Sequence, residues 1–508
     1  MAATLLIQCK PSNPETRSTG NSSKILLAIF AHPDDEATVS PVLAKYAASA
    51  QPARDPNIII IFLDDMGNGD LSLTGALGYQ TPNIDRLAKE GIRFTNFLDV
   101  QSVCSASRAG LLTGCYANRI GITGALFPNS KVGLHANETT LPELLKQKNY
   151  ATGMVGKWHL GDSPQFLPLQ HGFDEYFGLP YSNDMWPVGY DGKPTIDWKK
   201  DLPPLYIIDG NEKKIPINTL EDQATITQRY TERTVDFINR KKDKPFFLYV
   251  AHSMPHVPIN VSQNFKGKSQ QGLYGDVMME IDWSVGEILK VLASNKIEKN
   301  TLVIFTSDNG PWLNYGNHSG STGGFREGKG TSYEGGVRVP CIMRWPGKIS
   351  PGQICNSLSS TIDVLPTLAE LLNLKLPENK IDGVSLVPIL GGSLNARPRK
   401  EFYYYYRKNN LEAVRMDDWK LVLTHPGRTY ENFQTGNDGF PGQVNENFTV
   451  PQALYDLRRD PGERYDVQLQ YPEIVKELGK LADQAREDLG DDLVKMPGKN
   501  RREPGRIN

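Results

Sequence analysis

Asn57 to Leu63, NIIIIFL, is an unbroken apolar run that stops at Asp64-Asp65, and TLVIFT, from Thr301, stops at Ser307-Asp308-Asn309-Gly310. YATGMVG leads into Lys157 and His159, and PFFLYVA leads into His252 and His256. Apolar runs without polar alternation read as strands buried on both faces, the habit of parallel sheets. Between them lie helix-period patterns: PNIDRLAKEG from Pro82, and GDVMMEIDWSVGEILKVLASN from Gly275. In the second, Val277, Ile281, Val285, Ile288, Leu289 and Leu292 share one helical face. The alternation predicts an α/β fold around a large mixed, mostly parallel sheet flanked by helices.

STIDVLPTLAELLNL and GVSLVPILGG close this unit near Gly392, and the pattern then changes. EFYYYYRKNN and AVRMDDWKLVL read as antiparallel strands, and YPEIVKELGKLADQAREDL as a helix begun by a proline. The expected division is a first domain over 55–395 and a small C-terminal α+β domain with an antiparallel sheet over 396–508. A chain of 508 residues also exceeds what one core usually serves. No repeat of solenoid period is present.

The beginning has a different texture. Residues 1–23 read as a tether, and LLIQC followed by a polar Ser/Asn/Thr/Pro stretch resembles the end of a bacterial lipoprotein signal. Its apolar part is shorter than a working export signal, so a trimmed signal and a chance match both stay open. The expectation is a periplasmic or cell-surface location, with Cys9 as a candidate lipid anchor. Residues 24–54 read as an appended strand-helix segment carrying His32, Asp34 and Asp35.

Composition narrows the function classes. A formal net charge of −2, with 22% charged residues, excludes nucleic acid or an anionic membrane as partners on bulk charge. No apolar run approaches a membrane span. Cys9, Cys104, Cys115, Cys341 and Cys355 form neither a disulfide framework nor a zinc pattern.

The candidate chemistry stands at the strand ends, where open α/β sheets place their ligand crevice. An Asp after a strand can be a helix cap, and a lone Lys or His in a loop is usually solvated. Adjacent carboxylates differ, because like charges repel unless a cation sits between them. Asp64, Asp65, Asp308 and Asn309 make an all-oxygen set suited to calcium or magnesium rather than zinc. Cys104 opens VCSASRAGLLTG at the mouth of a predicted helix, with Arg108 one turn on. An anion-binding helix mouth, a small buried thiol and a thiolate nucleophile are all open readings for it. Together these groups describe a site for a tetrahedral oxyanion ester.

CSASRAGLLTG resembles the signature of the type I sulfatases, C-x-[PA]-x-R followed by L-x-T-G. LDDMGNGD, GKWHLG, TSDNGPW, GKGTSYEGGVRVP and LYDLRRDPGE resemble further blocks of that family in its order, and the agreement is close to the arylsulfatase A branch of the alkaline phosphatase superfamily. The resemblance implies a sulfuric ester hydrolase acting on aryl or glycan sulfates. In it Cys104 is oxidised by a sulfatase-maturating enzyme to formylglycine, whose hydrate attacks sulfur with one hydroxyl and expels sulfate through the other. It further implies Asp64, Asp65, Asp308 and Asn309 as ligands of Ca²⁺, with Mg²⁺ as the alternative. Arg108 and Lys157 would hold the hydrate, and His159 would be the base. His256 and Lys329 would bind the sulfate oxygens and assist the leaving group, with Ser182 and His252 on the substrate side.

Two positions depart from the family pattern: Ala106 replaces the commoner Pro, which leaves the maturase open, and Cys115 stands where a basic residue is usual. A packing role is expected for Cys115. A phosphodiesterase or phosphonate monoester hydrolase, and a non-catalytic sulfated-glycan binder, are the alternatives. Substrate specificity is expected in the loops 181–191 and 424–445, and the oligomeric state is not defined by the sequence. ILLAIFAHPDDEA resembles the opening metal motif of zinc-dependent N-acetylglucosamine deacetylases. It lacks the downstream histidine block, so a non-catalytic role is expected.

Overall fold

The strand β1 (Asn57–Leu63) has every residue buried and sits near the middle of the main sheet. The computed structural model describes residues 54–507. The expected tether with Cys9, and the appended segment with His32, Asp34 and Asp35, lie outside the described residues except for Arg54.

The remaining main-sheet strands are β2 (Ile92–Phe94), β3 (Ala151–Gly156), β4 (Glu175–Gly178), β5 (Leu205–Asp209), β6 (Glu212–Ile217), β7 (Phe246–Ala251), β8 (Thr301–Ser307), β9 (Cys341–Arg344) and β10 (Gln353–Cys355). Their order across the ten-stranded sheet is β10-β2-β9-β8-β1-β7-β3-β4-β5-β6. The central run β8-β1-β7-β3-β4 is parallel throughout. Antiparallel pairs flank it: β9 with β8 and β2 on one side, β5 with β4 and β6 on the other. The expected mixed, mostly parallel sheet is what forms.

The helices that cover the sheet are α1 (Pro82–Lys89), α2 (Cys104–Thr113), α3 (Ile226–Lys241), α4 (Leu273–Ser294) and α5 (Val364–Leu372). Alternate residues of β1 feed two cores. Ile58, Ile60 and Phe62 pack with Leu111, Leu112, Val364, Leu365 and Leu368 of α2 and α5. Ile59, Ile61 and Leu63 pack with α3 and α4, and all six residues expected on one face of α4 are buried there. Burying each such side chain contributes roughly 1.5–3 kcal/mol, and that drives the continuous apolar runs into the centre.

The C-terminal sheet is antiparallel, with β11 (Glu401–Tyr406), β12 (Asn410–Met416), β13 (Trp419–Val422) and β14 (Ala453–Asp456) in that order. AVRMDDWKLVL, expected as one strand, is a hairpin, because Asp417 at φ 49° turns the chain back. α6 (Pro472–Leu489) lays Leu478, Leu481, Ala482, Ala485 and Leu489 on this sheet, as the helical spacing predicts. Leu98, Val103 and Ala106 belong to the same apolar cluster, so the mouth of α2 rests on the C-terminal sheet. No helix among the described residues is long and apolar enough to cross a membrane.

Candidate active site

Strand register aligns the site. Leu63 pairs with Ser307, while Phe62 and Gly156 both pair with Ala251. The residues that follow, Asp64, Asp308, His252 and Lys157, therefore leave the sheet along one edge. Gly156 (φ 115°) permits the sharp exit toward Lys157: a Cβ there would lie 1.8 Å from the Ala251 carbonyl oxygen. Asp65 and His159 adopt left-handed φ of 64° and 61°, which turns their side chains out of the strand direction.

Cys104 is the first residue of α2, after an extended Val103, and is 2% exposed. Its thiol donates to Asp64 Oδ1 at 3.3 Å, and Lys329 Nζ lies 3.5 Å from the sulfur. Lys329 also pairs with Asp65 Oδ1 at 2.7 Å. Lys157 Nζ is 2.5 Å from Asp64 Oδ2 and donates to Ser182 Oγ at 3.1 Å. Arg108 bridges the strand ends. It donates to Asp308 Oδ2 and to the Lys157 carbonyl, each at 2.8 Å, and reaches Asp64 Oδ2 at 3.5 Å. His256 Nε2 lies 3.6 Å from Asp65 Oδ2.

The charges in this buried cluster set one another. Burial alone would raise the Asp64 carboxyl, yet Lys157, His256, Arg108 and Lys329 hold it well below the usual carboxylate range. Asp308 goes the other way, pushed up to about 7 by burial and by the charge of Asp64. Burial, then Asp308 and Asp64, push the Cys104 thiol well up, so it is a neutral thiol and not a thiolate. Burial lowers His159, and Lys157 and Arg108 lower it further. His159 Nε2 is bonded to the Leu126 carbonyl, which fixes the proton there and leaves Nδ1 without a partner.

The cluster can hold a metal ion. Ligand atoms of Asp64, Asp65, Cys104 and His256 all lie within 4.8 Å of one another. Asp308 Oδ1 accepts from the Asp65 amide at 3.1 Å, and Asn309 donates through Nδ2 to Asp65 Oδ1 at 2.7 Å. The Asn309 Oδ1 is buried with no hydrogen-bond partner, the state expected of a carbonyl reserved for a metal.

The structure thus brings together Cys104, Arg108, Lys157, His159, Ser182, His256, Lys329, Asp64, Asp65, Asp308 and Asn309. His252 is not among them. It is fully buried against the Tyr230 ring, its Nε2 3.4 Å from Ser284 Oγ, and burial alone lowers it to about 4. Cys115 packs in the main core with its sulfur 3.4 Å from an Arg502 nitrogen. Asp184, within the 181–191 loop expected to carry specificity, and Lys199, outside it, are both buried. Loop residues of this kind carry no periodic signal.

Comparison with known proteins gives this geometry a context. The chain matches the family described as Sulfatase over residues 56–374 and the C-terminal region of aryl-sulfatase over 398–503. It is similar to N-acetylgalactosamine-6-sulfatase of Mus musculus, 40% identical over 462 residues that make up 87% of each chain. It is similar to arylsulfatase A of Homo sapiens, 38% identical over 464 residues, 87% of this chain and 88% of that protein. Among solved structures it resembles the PsFucS1 sulfatase from Pseudoalteromonas, at TM-score 0.76 and 28% identity, covering 92% of this chain and 96% of the other.

Proposed function

Since this chain belongs to the sulfatase family, in its arylsulfatase A-like part, and hydrolyses sulfuric esters, we propose that Cys104 is converted to formylglycine and that Asp64, Asp65, Asp308 and Asn309 hold a Ca²⁺ ion, with Mg²⁺ as the alternative. The hydrated aldehyde supplies a hydroxyl that attacks sulfur, and the cation supplies charge that offsets the sulfate oxygens.

The other roles belong to the side chains around position 104. Arg108 and Lys157 hold the Asp64 and Asp308 carboxylates, and Asp64 in turn accepts from position 104, so the nucleophile's direction is set before substrate arrives. Lys329 stays protonated: burial opposes its charge, but the Asp65 and Asp64 carboxylates hold it well above the ordinary range. With His256 it binds sulfate oxygens and supports departure of the leaving oxygen. His159 would accept at its bare Nδ1 the proton of the hydrate's second hydroxyl, whose oxygen would then form the aldehyde C=O as the carbon–oxygen bond to sulfate breaks. Ser182, bonded to Lys157, sits on the substrate side. The substrate is a carbohydrate sulfate, by similarity to the N-acetylgalactosamine-6-sulfatase relative.

The observation that carries this reading is the position of Cys104 Sγ between Asp64 and Lys329. Its neutral, buried thiol is a poor nucleophile by itself, and a converted side chain at that point meets Asp64 and Lys329, with Asp65 and His256 within 4.8 Å. The test is a mass spectrum of the peptide containing Cys104, from protein made with and without a co-expressed sulfatase maturase. An aldehyde that appears together with activity supports the reading. Full activity from an intact thiol overturns it.

A further inference from the structure

Beside the sulfate-binding groups lies a pair of opposite charges that the mechanism above does not use. Asp184 follows Ser182 in the loop after β4, and Lys199 sits in a short turn capped by Asp197, whose carboxylate accepts from the Lys199 amide at 2.8 Å. Both are nearly enclosed, at 7% and 6% exposure. Yet Asp184 Oδ2 and Lys199 Nζ stand 3.9 Å apart, beyond direct hydrogen bonding. Asp184 Oδ1 has no protein donor at all. A buried carboxylate without its full set of donors is costly, so this arrangement calls for a function.

The pair is tied to the reaction centre from two directions. Asp184 stands two residues beyond Ser182, whose hydroxyl accepts from Lys157 at 3.1 Å. Lys199 Nζ lies 4.3 Å from the centroid of the Tyr190 ring and donates to its hydroxyl at 3.2 Å. The Tyr190 and Tyr315 hydroxyls are 2.6 Å apart, and the Tyr315 ring is 4.9 Å from Trp312. Trp312 in turn lies 5.6 Å from the His256 ring and 4.4 Å from Lys329 Nζ. An aromatic wall therefore runs from the proposed sulfate-binding groups to the charged pair. Burial would raise the Asp184 carboxyl, but His256 and Lys199 hold it below its ordinary range, so it is a charged acceptor.

We propose that Asp184 and Lys199 form a hydroxyl-binding clamp of a sugar subsite, which makes the substrate a sulfated pyranoside rather than a simple aryl sulfate. Two atoms 3.9 Å apart can both reach one hydroxyl oxygen at about 2.8 Å, Asp184 accepting its proton and Lys199 donating to it. Trp312, half-buried, offers a ring on which the apolar face of a sugar can lie. An aryl group has nothing to give this clamp. Sites built around a substrate hydroxyl discriminate strongly against analogues that lack it. The inference rests on the sulfatase reading above.

The test is designed to separate the two. Cys104→Ala protein, whose side chain carries no oxygen or sulfur to be oxidised to the aldehyde, is titrated calorimetrically with 4-nitrophenyl sulfate and with the 6-O-sulfates of N-acetylgalactosamine, N-acetylglucosamine and galactose. At least one sugar sulfate should bind more tightly than the aryl sulfate. Asp184→Asn and Lys199→Met, introduced separately, should each reduce that sugar-to-aryl affinity ratio at least about tenfold, the loss of one buried charged hydrogen bond. Equal weakening of both ligands would make the pair a staple for the loop and overturn the proposal, as would no preference for any sugar sulfate. Two substitutions guard against one of them failing to fold. Sulfate release by the matured wild-type enzyme, measured in parallel, tests the underlying reading without reference to the clamp.

Discussion

The Cys104 thiol donates to Asp64 Oδ1 over 3.3 Å, joining the first turn of α2 to the end of the central strand. Forty residues apart in the chain, the two meet because α2 packs its Leu111 and Leu112 against the same face of the sheet that receives Ile60 and Phe62. Burial of apolar surface thus sets the distance between a candidate nucleophile and a candidate metal ligand.

Cys104→Ala should abolish hydrolysis of sulfate esters, lowering kcat/KM by at least about a thousandfold, as loss of a nucleophile does. Thermal unfolding should change little, since the thiol makes only two weak bonds, to Asp64 and Lys329. Unimpaired turnover in this variant would refute the role of Cys104.

Removal of divalent cations should lower both activity and stability. Asp64, Asp65 and Asp308 are nearly inaccessible, and the charge of Asp64 pushes Asp308 up. A cation binding only the folded state at about 100 times its Kd would stabilise it by about 2.7 kcal/mol. Calcium added back to chelator-treated protein should therefore raise Tm and restore turnover together. A Tm indifferent to calcium and magnesium would count against the four-residue ligand set.

His256 and His252 stand four residues apart and have different fates. His256→Ala should reduce kcat/KM by about a hundredfold or more, the usual worth of a positioned proton-transfer group. His252→Ala should lower Tm, because it opens space beside Tyr230 and Ser284, and should keep kcat/KM near the wild-type value. Steady-state kinetics on the two variants, with melting curves, decide this. A larger kinetic defect at His252 would reverse the assignment.

This pair also marks what the sequence could tell. Apolar runs such as NIIIIFL and TLVIFT announce buried parallel strands, and the charged residues that end them follow directly, because a strand buried on both faces has no place for Asp64 or Asp308 until it leaves the sheet. That β7 lies between β1 and β3 depends on pairings between residues far apart in the chain, which no local pattern encodes. Neither does the choice between His252 and His256, since both follow the same strand. The backbone decides it: the His252 amide still bonds to the Phe62 carbonyl, which holds that residue at the sheet edge, while His256 lies beyond it. The turn inside AVRMDDWKLVL is marked only by the adjacent Asp417 and Asp418, which interrupt the alternation, and a pair of polar residues also occurs within single strands.

Arg119 should prove a main attachment of the C-terminal helix. Its guanidinium, fully buried, is 2.6 Å from Asp382 and 2.7 Å from Asp488 near the end of α6. Arg119→Met leaves both carboxylates without this partner, and breaking a buried pair costs about 3–5 kcal/mol. The effect should depend on pH. Burial would raise Asp488, but hydrogen bonds from Arg119, Lys380 and Asn500 hold it below its ordinary range. A depressed carboxylate stabilises fully above its unfolded value of about 4 and loses that contribution as pH falls through the folded value. The stability gap between wild type and variant, from urea melts, should therefore narrow below about pH 4. A gap constant with pH would show that packing, and not charge, is what Arg119 supplies.

Gly156→Ala should damage the site from outside it. The residue has φ 115°, and a methyl group there would meet the Ala251 carbonyl oxygen at 1.8 Å. Gly178 approaches just as closely from the other side, its own Cβ position lying 1.8 Å from the Gly156 oxygen. No side chain can move aside to relieve contacts made by backbone atoms, so β3 must shift relative to β7. Lys157, the next residue, donates its amide to that same Ala251 oxygen at 2.8 Å and carries the ammonium paired with Asp64. The expected result is a lowered Tm and a kcat reduced more than the fall in Tm explains, measured well below the melting range. Lys157→Ala provides the reference: if the two variants share a kinetic defect while only Gly156→Ala melts early, the glycine acts by delivering the lysine. Wild-type kinetics in a stably folded Gly156→Ala protein would mean that the strand end has more freedom than its packing indicates.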